Sequence, residues 1–316
     1  METYDSEYNS YPPKPLIDNN SKNNLLKSII SLGLFILLFL IFLPDFRSLF
    51  LILLILFIHE GGHFFAMKFF KYQDVSIFFI PLMGAVTTGE KEKISQWQHA
   101  LIIMAGPLPG IVLGLLCFFW GNHIEHIIVQ LAGVMFIFVN ILNLIPLDPL
   151  DGGKLLETLF FSNNDKLKTL FIISSTVLLS LLGIYFFNLI LIILAFLMFS
   201  KLRSFLDLKK IRHKIHKEKI NLNCTYKELS DENYWKIREI YLSSSSANKL
   251  VKSKRFSDDQ NEKIIAPIIK NMLQHTIEND MPIYAKLLYV LAWISSFIIP
   301  ILIIYPFLSN LLMNVE

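Results

Sequence analysis

Charge and cysteine are scarce in this chain of 316 residues: Asp, Glu, Lys and Arg make up 17% of it, and 2 residues are cysteine. So few cysteines exclude a disulfide-stapled fold. Cys117 lies in an apolar stretch and Cys224 in a polar one, so neither a bridge nor a thiolate metal site is indicated. Lys plus Arg total 29 against 26 Asp plus Glu, a balance that leaves no basic field for nucleic acid. The apolar stretches lack the period-two alternation of a membrane β-barrel, and no internal repeat of the transporter kind is found. Residues 1–24 have no apolar core of a cleavable signal peptide; they are polar, include Pro12-Pro13-Lys14-Pro15, and read as a disordered cytosolic tail.

What the chain has instead is apolar length. It is 53% hydrophobic with a mean hydropathy of +0.51, more than a soluble domain of this size needs for its core. Stretches long enough to span a bilayer lie at 25–43, 46–70, 97–121, 124–145 and 284–308. The stretch 169–200 fits one tilted helix or two short ones turning near 183–188. A basic cluster follows it at once (Lys201, Arg203, Lys209, Lys210, Arg212, Lys214, Lys217 and Lys219), and positive charge stays cytoplasmic. Two crossings put that cluster on the same side as Lys68, Lys71, Lys91 and Lys93. The expected fold is therefore an all-α polytopic membrane protein with about seven transmembrane helices and a cytoplasmic N-terminus, in the cell membrane.

Its expected parts are the tail 1–24, a six-helix core at 25–201, a cytosolic basic and helical insertion at 202–282, and a last transmembrane helix with a short tail at 283–316. Within the insertion, 202–220 reads as an amphipathic helix on an anionic membrane face or as a simple solvated helix, 243–246 as a linker, and 258–278 as a helix with a break at Pro267. The β-rich segment 76–90 is too broken by Pro and Gly to span and reads as a re-entrant hairpin.

Ionisable residues inside an apolar helix are costly and mark function. His59-Glu60-Gly61-Gly62-His63 directly continues the apolar run 49–58. Four-residue spacing puts both imidazoles on one helix face, able to grip one Zn²⁺ with Glu60 beside the open position. Counted from Arg47 at 1.5 Å per residue, His59 lies about 18 Å and His63 about 24 Å into a core of about 30 Å. A third ligand must come from elsewhere. Asn143-Leu144-Ile145-Pro146-Leu147-Asp148-Pro149-Leu150-Asp151-Gly152-Gly153 ends the fourth span on the same side, and its glycines permit a turn that aims Asp151 at the histidines. Asp148 is the rival ligand.

The pentapeptide and residues 143–153, which follow the pattern N-x-x-P-x-x-P-L-D-G-G, resemble the site-2 protease family of intramembrane zinc metalloproteases. The resemblance covers about residues 25–201, with Gly106-Pro107 and the hairpin adding weaker similarity. It implies His59, His63 and Asp151 as zinc ligands, in preference to Asp148, and Glu60 as catalytic acid/base. It places Asn143 near the substrate. The hairpin residues Gly84, Ala85 and Val86 are expected to hold an unwound substrate strand. Gly110 stands where the family commonly has Asn. The implied partners are a transmembrane protein substrate and the bilayer. The alternatives are a pseudoprotease of the same fold or a metal-ion transporter using the same three residues.

Overall fold

The computed structural model describes residues 11–17, 21–42, 45–80, 84–91, 93–162, 164–222, 224–244, 259–273 and 277–313. The chain divides into two compact units, Asn20–Met198 with Ile277–Glu316, and Met1–Asn19 with Phe199–Thr276.

The larger unit is built from apolar helices. The first are α1 (Ser21–Phe42) and α2 (Phe46–Phe69), followed by strands β1 (Gln73–Ile80), β2 (Gly84–Glu90) and β3 (Ile94–Ser95). Then come α3 (Gln96–Ala105), α4 (Pro107–His123), α5 (Ile127–Asn143), α6 (Asp151–Leu156), a π-helical turn Glu157–Phe161, α7 (Asp165–Tyr185) and the start of α8 (Leu189–Lys217). Strand β4 (Ile277–Glu278) and α11 (Ile283–Met313) return after the second unit. Among the described residues, 5 helical stretches are long and apolar enough to cross a membrane, and 2 shorter apolar helices, Leu25–Ile41 and Ile127–Asn143, accompany them. This is a polytopic membrane protein; its apolar side chains face outward in large numbers because lipid, not water, is their solvent.

Local chemistry sets the helix ends. The Asp45 carboxylate accepts from the Arg47 and Ser48 amides at 3.3 and 3.0 Å, capping α2. Pro107, which has no N–H to lose, starts α4 immediately after Gly106. The stretch 169–200 is broken at 186–188: Phe187 adopts a left-handed φ of 49°, and the Asn188 side chain caps α8 by accepting from Ile190 and Leu191 at 3.0 and 3.1 Å.

Strands β1 and β2 form an antiparallel two-stranded sheet with Phe78 opposite Val86, Phe79 opposite Ala85 and Ile80 opposite Gly84. It lies between α1 and α2. The Phe79 amide donates to Ser31 Oγ at 3.0 Å, and its ring meets Phe35 and Phe57 at centroid distances of 5.8 and 5.2 Å. The end of the chain is part of the same core. Asp280 accepts from the Gln96 amide at 2.9 Å and so caps α3, a job the Ser95 hydroxyl leaves undone. The α11 side chains Tyr289, Trp293 and Phe297 pack on a buried cluster that includes Met104, Leu144 and Leu155.

In the smaller unit, the last turns of α8 pack with α9 (Asp231–Ser243) and α10 (Asp259–Met272) around Ile211, Ile215, Tyr234, Ile237, Ile265 and Ile269. A buried network closes it: Arg238 Nε and the Tyr234 hydroxyl each donate to Glu262 at 2.6 Å. Three features differ from the sequence reading. The apolar face of the basic helix is covered by protein rather than lipid, since Ile211 and Ile215 are buried. Helix α10 runs through Pro267 without a break, because Ile265, Ala266 and Ile269 are buried on both sides of it and this burial outweighs one lost hydrogen bond. Residues 11–17 of the expected disordered tail lie against the unit, with Tyr11 and Ile17 packed on its core. Of the expected linker 243–246, residues 245–246 fall outside the described residues.

Candidate metal centre

Helix α2 buries His59, Glu60 and His63 on one face, and α6 begins with the equally buried Asp151. His59 Nε2 lies 2.9 Å and His63 Nε2 3.1 Å from Asp151 Oδ2, and the two Nε2 atoms are 3.2 Å apart. Two ligands each about 2.0 Å from a tetrahedral centre stand roughly 3.3 Å apart, so this triangle has the dimensions of a zinc face. Asp148 is buried too, but it is not in the group; its amide donates to Ser175 Oγ at 3.3 Å.

The hydrogen bonds around the triangle decide which atoms carry protons. His63 Nδ1 donates to the Ile102 carbonyl at 2.8 Å, since a carbonyl can only accept. Asn140 Nδ2 donates to the Phe136 carbonyl at 2.8 Å, which turns Asn140 Oδ1 toward His59 Nδ1, 2.8 Å away, as its acceptor. With both Nδ1 positions protonated, the neutral rings present Nε2 lone pairs toward a carboxylate oxygen. Three acceptors at such separations would be held together by a cation, and the donor set of two imidazoles and one carboxylate suits Zn²⁺. Lys154 Nζ pairs with the other carboxylate oxygen, Asp151 Oδ1, at 3.0 Å and fixes its rotation.

Glycines make these approaches possible. A Cβ on Gly62 would overlap the Ala105 carbonyl, one on Gly106 the His63 ring, and one on Gly110 the Asn140 amide. The Gly110 position thus houses the side chain that orients His59. The expectation that Gly152 and Gly153 supply a turn is corrected: neither has a positive φ, and both let the 144–148 backbone press against the start of α6, where any Cβ would strike Leu144 or Leu147.

Other expected site residues are less convergent. The Glu60 carboxylate accepts from the Thr87 hydroxyl of β2 at 2.6 Å. Gly84, with φ of 99°, Ala85 and Val86 open the same strand. Asn143 turns back on its own helix, its Nδ2 donating to the Val139 carbonyl at 3.3 Å. Thr87 and Lys154 were not singled out as site residues from sequence, whereas Asn140, polar inside an apolar span, reads from sequence as either an interhelical hydrogen-bonding residue or a substrate contact, and here it is fully buried and bonded to His59.

Comparison with known proteins bears on part of this chain. Residues 48–126 match the model of peptidase family M50. The chain is 36% identical over 118 residues to Stage IV sporulation protein FB of Bacillus subtilis, covering 36% of this chain and 40% of that protein. It is 31% identical over 108 residues to the Synechocystis sp. protein sll0528, a zinc metalloprotease by name, covering 32% of this chain and 28% of that one. The chain thus spans less than half the length of either relative. Among solved structures it is similar to the Site-2 Protease from Methanocaldococcus jannaschii, with a TM-score of 0.41 and 22% identity over 57% of this chain and 87% of that one. The family match contains His59, Glu60 and His63, so over residues 48–126 this chain is similar to peptidase family M50.

Proposed function

We propose that the protein is an intramembrane zinc endopeptidase that hydrolyses peptide bonds in or near the transmembrane segments of other membrane proteins, as in regulated intramembrane proteolysis. The observation that carries this reading is the convergence of His59 Nε2, His63 Nε2 and Asp151 Oδ2, all buried, within 4.8 Å of one another. These three residues would hold the ion. A bound Zn²⁺ supplies a water acidified toward a pKa of about 7. Beside such an ion, Glu60 would be the group that accepts a proton from water and returns it to the leaving amine when a peptide bond is cut. The Thr87 hydroxyl holds the Glu60 carboxylate in place at 2.6 Å.

A transmembrane helix hides its carbonyls in i to i+4 hydrogen bonds, so a few residues must unwind before they can be cut. Among the described residues the β1–β2 sheet has two strands, which leaves one side of β2 without a strand neighbour. Gly84, Ala85 and Val86 would pair there with the unwound substrate, re-entrant beside the site, and Asn143 would bind it at the end of α5. The proposed topology has about seven spans with the N-terminus and the basic insertion in the cytoplasm of a cell-membrane protein.

The test replaces Glu60 by Gln. The variant should keep its metal and lose cleavage, and membranes of cells carrying it should accumulate single-span fragments that wild-type cells lack. Equal fragment patterns, with the variant folded and metal-loaded, would refute the assignment.

A further inference from the structure

The smaller unit carries an occupied peptide groove that the protease chemistry does not use. Its occupant is Tyr11-Pro12-Pro13-Lys14-Pro15-Leu16-Ile17. Three prolines fix their own φ near −65° and bias each preceding residue to extended backbone, so this stretch is straight before it meets anything, and it contains neither helix nor strand. A straight proline-rich segment offers carbonyls and few amides. The groove is equipped for that: Trp235 Nε1 donates to the Pro12 carbonyl at 2.5 Å, and the Tyr226 hydroxyl donates to the Pro15 carbonyl at 2.8 Å.

The residue between those anchors is read most closely. The Lys14 amide, the one N–H among residues 12–15, donates to Asp231 Oδ1 at 2.9 Å. Its ammonium donates to the Lys227 carbonyl at 3.0 Å and to the Leu229 carbonyl, and lies 5.5 Å from the centroid of the Tyr226 ring. Tyr226 stands edge-on to Tyr234, and Tyr234 to Trp235, so the aromatic wall is continuous and backed by the unit's core. Burial pushes the Tyr226 phenol up to about 12, aided by the Glu262 charge, so it remains a donor across the neutral range. Leu16, by contrast, is 96% exposed, and Pro12 and Pro13 are exposed as well; the groove reads backbone and lysine rather than apolar bulk.

We propose that residues 224–238 form a recognition site for extended proline-rich peptides of the Pro-Pro-Lys-Pro type, and that the chain's own residues 11–17 are its tethered ligand, exchangeable for such a segment of a partner protein. Aromatic donors spaced along a groove are how polyproline segments are bound in general. A ligand on the same chain competes intramolecularly, so an outside peptide is excluded until the tether leaves.

The experiment uses the detergent-solubilised full chain, the same chain lacking residues 1–17, and an intact chain with Pro12, Pro13 and Pro15 replaced by Ala. The probe is a fluorescein-labelled peptide with the sequence of residues 11–17, followed by anisotropy. It should bind the two opened chains at least about tenfold more tightly than the intact one. Trp235→Phe, which keeps a ring and removes the donor, should weaken binding to the opened chains about fivefold, and a probe with Glu in place of lysine should fail to bind. The proposal is overturned if opened chains that retain the wild-type thermal transition do not bind the probe. It is equally overturned if intact and opened chains bind alike, or if an all-alanine probe binds as well as the proline one.

Discussion

The side-chain oxygen of Asn140 accepts the Nδ1 proton of His59 at 2.8 Å, and it can do so because Gly110 leaves the space that the amide fills. This contact sets the tautomer of the ring and points its Nε2 lone pair at Asp151. Replacing Asn140 by Leu should lower zinc affinity about 10- to 100-fold, the usual effect of removing a partner that orients a ligand. Gly110→Asn should do the same by pushing the Asn140 amide out of place. Competition against a chromogenic chelator reads both, and affinity within twofold of wild type would separate Asn140 from the metal.

The two aspartates of the 143–153 loop give a direct comparison. Asp151→Asn should lose the metal and all cleavage, whereas Asp148→Asn should retain the metal, because Asp148 is not in the ligand group. Elemental analysis of the purified variants checks this. Chelation of wild type should abolish cleavage, with Zn²⁺ restoring it.

Adjacent glycines in α2 should behave oppositely. Gly62→Ala forces a Cβ into the Ala105 carbonyl, backbone against backbone, and should cost about 1–3 kcal/mol with a lowered thermal transition. A Cβ on Gly61 meets only the Phe65 ring at 3.9 Å, so Gly61→Ala should stabilise by up to about 1 kcal/mol through helix propensity. Thermal unfolding in detergent compares the pair.

Strand addition predicts an asymmetry along β2. Successive amides of a strand point to opposite edges, so of Ala85→Pro and Val86→Pro one removes a bond to β1 and the other an N–H on the free edge. The variant that keeps the hairpin should lose cleavage of a transmembrane substrate by tenfold or more while still hydrolysing a short unfolded peptide. Unchanged cleavage of both substrates by both folded variants would remove β2 from the mechanism.

The site was legible wherever local spacing carried it. His59 and His63 are one helical turn apart, so any α-helix through them creates the two-imidazole face, and the cap at Asn188 was foreshadowed by the break expected at 183–188. Asn140 shows where spacing stops being enough: its amide and the His59 ring come from helices 81 residues apart, and only packing of α5 against α2 brings them together. The roles of Gly152 and Gly153 were misread for the same reason. A glycine that serves close approach looks, in sequence, like one that serves a turn. Polar composition likewise pointed to disorder for residues 11–17, since the aromatic partners that hold them lie more than 200 positions away.

Trp293 of α11 donates to the Leu144 carbonyl at 2.9 Å, at the head of the loop that delivers Asp151. During synthesis that carbonyl waits for a partner more than a hundred residues downstream. A ribosome-bound intermediate can therefore hold both histidines in a finished α2 while the loop that supplies the carboxylate is still unpinned. On the proposed function, the metal triangle would then close only after α11 has been made, an order of assembly that keeps a half-built site idle.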